Sequence, residues 1–192
     1  GYPRFRPDVP RGEEPPLSPD TAYCAVIDRE GNTFSATPSD ASYDMELIPG
    51  TGFVASGRGN QSWTVEGHPS ELKPFKRPRL TPNPAIAILG DGQAVMPFGT
   101  PGGDVQTQAM LQVLFNVALF GMDLRSAIEA PRFASYSFPS SFEPHEYYPN
   151  RLSIEARVPA LTIDGLEALG HDIAPWPEWT RQAGSVCSVI HD

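Results

Sequence analysis

The chain has little cysteine, little positive charge and no long apolar run, and each shortage closes a class of explanation. Cys24 and Cys187 are the only cysteines in 192 residues, too few for a disulfide scaffold. Both lie in apolar, strand-like runs (YCAVI and SVCSVI), which predicts small, buried side chains. A disulfide between them is compatible with neighbouring strands, but no spacing argues for it. The four histidines, His68, His145, His171 and His191, show no metal-ligand spacing, so neither metal nor cofactor is implied. Fourteen Lys and Arg stand against 23 Asp and Glu, a formal net charge of −9. Such a surface repels phosphate backbones, and nucleic acid is not expected as a partner. No apolar stretch approaches the ~20 residues of a membrane span, so no membrane partner is expected. No apolar segment follows Arg4 and Arg6, so the first residues do not read as a signal peptide. The compartment is left open between periplasm and cytoplasm.

Proline, by contrast, is abundant. There are 22, about twice average usage, which predicts stiff loops between short elements. Six of them fall in residues 1–20, which read as an extended linker without a core of its own. From Thr21 the pattern alternates, with Tyr23, Ala25 and Ile27 on one face and Cys24 and Val26 on the other. The Asp28–Asn32 turn and a second strand to Thr37 complete a hairpin expected to be largely buried. A short strand is expected at Phe53–Ala55, after Pro49-Gly50-Thr51-Gly52, and a second hairpin over 85–98 around Asp91-Gly92. Helices are expected between Asp104 and Gly121, over 123–130 with Asp123 as cap and Pro131 as stop, and over 159–169. Residues 132–151 read as an aromatic, proline-rich loop, Ile154–Glu155 as a strand and 184–190 as a closing strand. Hairpins with helices between them point to an α+β domain over 21–192, not a doubly wound sheet.

Three stretches can carry chemistry. At Asp20-Thr21 the linker meets a strand. A threonine freed at its N-terminus can attack through its hydroxyl while its α-amine, with an ordinary pKa of about 7.7–8.0, takes the proton. In "FGTPGGDVQ" two glycines lead from a strand into a helix. That geometry serves an oxyanion hole, a phosphate cradle or a plain tight turn, although no Gly-Lys-Ser/Thr follows as in a phosphate loop. In "KRPRLTPNPAI" the cations Lys76, Arg77 and Arg79 suit a bound carboxylate, acidic groups of the surface or, most commonly, solvent, and Thr81 and Asn83 are held between prolines.

"DTAYCAVIDREGN", "PGTGF", "KRPRLTPNPAI", "FGTPGGDVQTQAMLQVLFN" and "FGMDLRSAIEAPRF" occur in that order. In this the chain resembles the small subunit of the γ-glutamyltranspeptidase family from about Asp20 onward. The resemblance implies an N-terminal nucleophile hydrolase with a four-layer αββα fold, cut from a precursor and paired with a large subunit. It implies Thr21 as nucleophile, Ser39 as the hydroxyl that hydrogen-bonds it, Gly102 and Gly103 as oxyanion glycines, and Thr81 as a substrate-contacting hydroxyl. The implied substrate is a small amide, attacked to form a threonine acyl-enzyme that water or an amine then releases.

The departures matter equally. Ala22-Tyr23 stands where well-studied members often carry Thr-His, and Ala41 where an asparagine is expected. The positions that hold the amino-acid head of a γ-glutamyl group, usually glutamine and aspartate, are Arg58 and Gln61. Losing the aspartate removes the counter-charge for an ammonium, and an arginine offers a bidentate site for a carboxylate. The pattern therefore fits an acyl-amide of a dicarboxylic acid at least as well as a γ-glutamyl amide. A non-catalytic relative serving as a binding subunit is the rival reading; retention of Thr21, Ser39 and Gly102-Gly103 argues against it.

Overall fold

Short strands and proline-limited segments assemble here into three small sheets, two of them bridged by one helix and the third packed on β4 (Ala94–Gly99). The computed structural model describes residues 21–40 and 45–191; the linker expected over 1–20 and the position of Ala41 lie outside them. Strands β1 (Cys24–Ile27) and β2 (Thr33–Ala36) form an antiparallel hairpin. Its turn is built by Asp28, whose Oδ1 accepts from the Glu30 and Asn32 amides at 3.0 and 2.8 Å, while Gly31 takes the left-handed φ of 83° the reversal needs. Strands β3 (Ala85–Leu89) and β4 (Ala94–Gly99) form the second hairpin, and β8 (Cys187–Ser188) adds to β4. The third sheet joins β5 (Phe133–Ser135), β6 (Arg151–Glu155) and β7 (Asp172–Trp176), with β6 and β7 parallel. Helix α3 (Ala160–Ala168) connects those two strands, and α1 (Gln106–Ala118) and α2 (Leu124–Glu129) follow the second hairpin. Asp123 caps α2, accepting the Ser126 amide at 3.0 Å. The domain is α+β.

Helix α1 is the strut shared by both hydrophobic cores. Ala109 and Val113 pack with Ala127, Ala134 and Trp176 in one cluster, while Met110 packs with Met96 and Phe98 in the other. Two of its three glutamines, one turn apart, also finish the edge of β5. Gln108 donates to the Ser135 carbonyl at 3.1 Å and accepts its amide at 2.8 Å. Gln112 does the same for Phe133 at 2.9 and 3.2 Å. A side-chain amide thus replaces a neighbouring strand, which closes an otherwise open edge.

Several expectations need correction. The first hairpin is not largely buried: Val26 and Phe34 are each 58% exposed, because only the face of Tyr23, Ala25 and Ile27 packs against the domain. Both cysteines are exposed and free, for Cys24 lies on that outer face. Phe53–Ala55 is no strand, only an isolated bridge between Leu47 and Val54. The closing strand is two residues long plus a bridge from His191 to Val95. In the β4–β8 register Val189 would next meet Pro97, which has no N–H to give. Strands β5 and β7 were not expected; Pro175 masks β7, and it is tolerated there because β7 is an edge.

The hairpin is seated on β4 by a close approach. A Cβ placed on Gly99 would lie 2.3 Å from the ring of Tyr23, so that ring occupies the space a side chain would take. Tyr23 is anchored at its far end by a hydrogen bond to Ser35, 2.8 Å, and burial pushes its phenol above the ordinary value. Gly99→Ala should therefore lower stability by about 1–3 kcal/mol through overpacking, read as a fall in the denaturation midpoint. The same substitution in a Tyr23→Ala background should cost much less; equal losses in both backgrounds would refute the contact.

Candidate active site

Thr21 lies opposite Ser39 in the same register that pairs β1 with β2. The Ala22 amide donates to the Pro38 carbonyl at 3.0 Å and keeps this extension of the hairpin aligned. As a result the two hydroxyls meet, Thr21 Oγ1 to Ser39 Oγ at 2.5 Å. Both residues are half-buried.

Arg58 closes on the same pair from a 3-10 turn, Gly57–Gln61. It is 6% exposed, with Nε donating to the Ser39 carbonyl at 3.2 Å and Nη2 donating to Ser39 Oγ. Ser56 fixes the entry to the turn: its hydroxyl accepts the Arg58 amide at 3.3 Å and donates to Asp40 at 2.9 Å. At the other end of the turn Gln61 is fully buried and donates from Nε2 to Thr81 Oγ1 at 3.2 Å. Its Oε1 is buried and has no hydrogen-bond partner among the described residues. One short turn therefore links Thr21 and Ser39, through Arg58 and Gln61, to Thr81.

Gly102 and Gly103 sit between β4 and α1, with φ of 134° and 55°; the first is a value that only glycine adopts without strain, and the second lies in the left-handed region that favours it. A 3-10 turn, Gly103–Val105, carries the chain into α1. Thr100 pins the loop, donating to the Pro101 carbonyl and accepting the Ser185 amide, both at 2.7 Å. Gly184 must approach closely behind it, since a Cβ there would come within 3.1 Å of Thr100 Oγ1 and 3.0 Å of Ala109 Cβ. Arg132 holds that approach by donating to the Ala183 and Gly184 carbonyls at 2.9 and 3.1 Å. No hydrogen bond joins the glycines to Thr21 directly; their connection runs along β4 to Gly99 and its contact with Tyr23.

The 137–146 segment ties the two halves together, and nothing in the sequence pattern pointed to it. Asp104, beside Gly103, accepts the Ser141 amide at 2.7 Å and the Ser141 hydroxyl. Arg79 donates to that hydroxyl and lies 3.6 Å from Asp104. One residue on, Phe142 faces the Arg58 guanidinium at 5.9 Å, and the Glu143 amide donates to the Asn60 carbonyl at 2.9 Å. His145 is buried and stacks on Trp63 with ring centroids 3.9 Å apart. The Asp104–Ser141 link spans 37 residues, beyond any local pattern. Among the described residues no group of three or more His, Cys, Asp and Glu could hold a metal ion.

Residues 6–192 match the gamma-glutamyltranspeptidase family. A glutathione hydrolase-like proenzyme of Bacillus subtilis (strain 168), YwrD, is 32% identical over 183 residues, covering 94% of this chain and 33% of its own length. An oxamate amidohydrolase proenzyme of Klebsiella pneumoniae subsp. pneumoniae is 29% identical over 174 residues, covering 89% of this chain and 31% of its own. The solved structure of LmbA2991HD superposes with a TM-score of 0.84 at 39% identity, over 96% of this chain and 33% of that one. The chain thus spans about a third of the length of these relatives. With the hairpin, the paired glycines and the family match in agreement, the chain belongs to the gamma-glutamyltranspeptidase family, a family of enzymes.

Proposed function

We propose that this chain is the nucleophile-bearing part of an N-terminal nucleophile hydrolase that cleaves a small amide through a threonine acyl-enzyme. The observation that carries the reading is the 2.5 Å contact between Thr21 Oγ1 and Ser39 Oγ at the head of a strand. In the sequence the Thr21 nitrogen is bonded to Asp20, so its amine is available only after that bond is cut, as in a proenzyme. Once free, the amine takes the Thr21 hydroxyl proton as Oγ bonds to the substrate carbonyl carbon. The carbonyl electron pair moves onto oxygen, and N–H groups near Gly102 and Gly103 donate hydrogen bonds to the resulting oxyanion. Collapse breaks the carbon–nitrogen bond, and the ammonium returns its proton to the leaving amine. Water, or an amine acceptor, then releases the acyl group from Thr21.

The substrate class follows from charge. Arg58 puts a buried cation beside the two hydroxyls, and Gln61 in place of an aspartate leaves no counter-charge for an ammonium. An amide whose acyl part carries a free carboxylate and no α-amine fits that arrangement better than a γ-glutamyl amide. Oxamate, which names one relative's substrate, is a molecule of that kind. The exposed Val26, Phe34, Ile86 and Ile88 suit burial against a large subunit from the same precursor. The three sheets and their helices would then be the small-subunit share of a four-layer αββα fold.

Two experiments test this on the full-length precursor. In the first, intact-mass measurement should find a fragment beginning at Thr21, and monoamides of dicarboxylic acids should turn over faster than a γ-glutamyl anilide. Thr21→Ala should abolish both cleavage and turnover; retention of both would remove Thr21 from the chemistry. A wild-type precursor inert towards the whole panel would favour the binding-subunit reading. In the second, Arg58→Ala should raise KM for the acidic monoamides roughly ten- to hundred-fold, the loss of a charge-assisted hydrogen bond. An unchanged KM would take Arg58 out of substrate binding.

A further inference from the structure

The geometry around Ser39 assigns Arg58 a second role, as a positioning residue for the nucleophile; this rests on Thr21 being that nucleophile. A guanidinium has five N–H donors and no acceptor. The contact of Arg58 Nη2 with Ser39 Oγ therefore has one direction only: arginine donates and the serine oxygen accepts. Nε of the same guanidinium donates to the Ser39 carbonyl at 3.2 Å. Together the two bonds grip one residue at backbone and side chain and fix the rotation of its hydroxyl. The Ser56–Asp40 bond, 2.9 Å, holds the neighbouring residues in step, and the Phe142 ring covers the guanidinium.

Ser39 has a single proton to give, and its remaining close partner is Thr21 Oγ1 at 2.5 Å. We infer that Arg58 holds the Ser39 hydroxyl as the donor to Thr21 Oγ1, leaving the Thr21 proton directed to its own freed amine. A hydroxyl that accepts from a cation is polarised, and its own donation strengthens. The gain is largest when Thr21 Oγ1 carries most negative charge, as its proton leaves, and so falls on acylation rather than on ground-state binding. Aligned glutamine, the usual residue at this position, could donate a hydrogen bond but would bring no charge. Serine at position 39 suits the arrangement, since a side chain without a γ-methyl turns freely to the rotamer the arginine demands.

A double-mutant cycle separates this role from substrate binding. Acylation is followed as the first-turnover burst on a chromogenic amide lacking a carboxylate, with wild type, Ser39→Ala, Arg58→Met and the double variant. Arg58→Met should slow acylation on the order of ten-fold, Ser39→Ala by a similar factor, and the double variant no more than about two-fold beyond Ser39→Ala. Arg58→Lys, which keeps a charge but loses the two-point grip, should recover part of the rate. The rate of self-cleavage at Asp20-Thr21 uses the same hydroxyl and should show the same pattern. It therefore supplies the readout should turnover be too slow, and Arg58→Lys replaces Arg58→Met in the cycle should the latter fail to fold. Multiplicative effects in the double variant, or a KM change with an unaltered burst, would overturn the assignment. An active Thr21→Ala would instead sink the nucleophile reading beneath it.

Discussion

The packing of the Tyr23 ring on Gly99 is the constraint on which the rest of the site depends. A hairpin of eight paired residues has little hold on the domain by itself, since two-stranded ribbons are marginal in water. Here its inner face is set by an aromatic ring that fills the space of a missing side chain on β4. The Ser35 hydroxyl fixes the ring's far end. Everything nearer the hairpin's open end then follows by register: Thr21 opposite Ser39, with their hydroxyls in contact. Strand β4 meanwhile continues from Gly99 through Thr100 and Pro101 to Gly102 and Gly103. One contact thus brings the strand that carries Thr21 and the glycine loop to the same end of β4.

A second layer of organisation runs from α1 outward. Asp104 stands at the junction of the glycine loop and the helix, and through Ser141 it holds the 137–146 segment. That segment presses Phe142 toward Arg58 and bonds Asn60 through the Glu143 amide. The glycine loop and the arginine turn are therefore bound to a common strap, although no hydrogen bond joins them directly. Arg79 completes the clasp from the basic loop. Its charge is balanced by Asp104, so this arginine serves the strap rather than an anion in solution.

What the sequence revealed and what it concealed divide by range. The two antiparallel hairpins, the cap of α2 and the limits of α1 and α3 came from local signals: alternation, Asp-Gly and Asp28–Asn32 turns, and Asp123 before a short apolar run. The positions of Thr21, Ser39, Gly102-Gly103, Arg58, Gln61 and Thr81 came from family resemblance. Hydrogen bonds from Thr21 to Ser39, Arg58 to Ser39 and Gln61 to Thr81 tie all of these but the glycines together without testing their roles. Strands β5 and β7 escaped because each derives its pairing from elsewhere. The former is three residues closed by Gln108 and Gln112, and the latter carries a proline that only an edge permits. Burial of Cys24 was misjudged because an apolar strand has two faces, and alternation does not say which of them this chain covers.

Charge distribution gives the site its character. The chain as a whole carries −9, which disfavours the approach of anions across most of its surface. Against that background the segment from Lys73 to Arg79 places four cations within seven residues, on the loop that leads to Thr81. All four are exposed; Lys73 pairs with Glu71 at 2.9 Å and Arg79 with the Asp104–Ser141 clasp, while among the described residues Lys76 and Arg77 form no ion pair. Exposed charges act through long-range attraction and are screened by salt. Arg58, buried under Phe142 and against Ser39, is screened far less. The loop's field is therefore weak and salt-sensitive, and that of Arg58 at the hydroxyls is strong and fixed. Beside those hydroxyls Arg58 sets a cation and Gln61 a neutral amide, the charge pattern on which the proposed preference for a carboxylate-bearing amide rests.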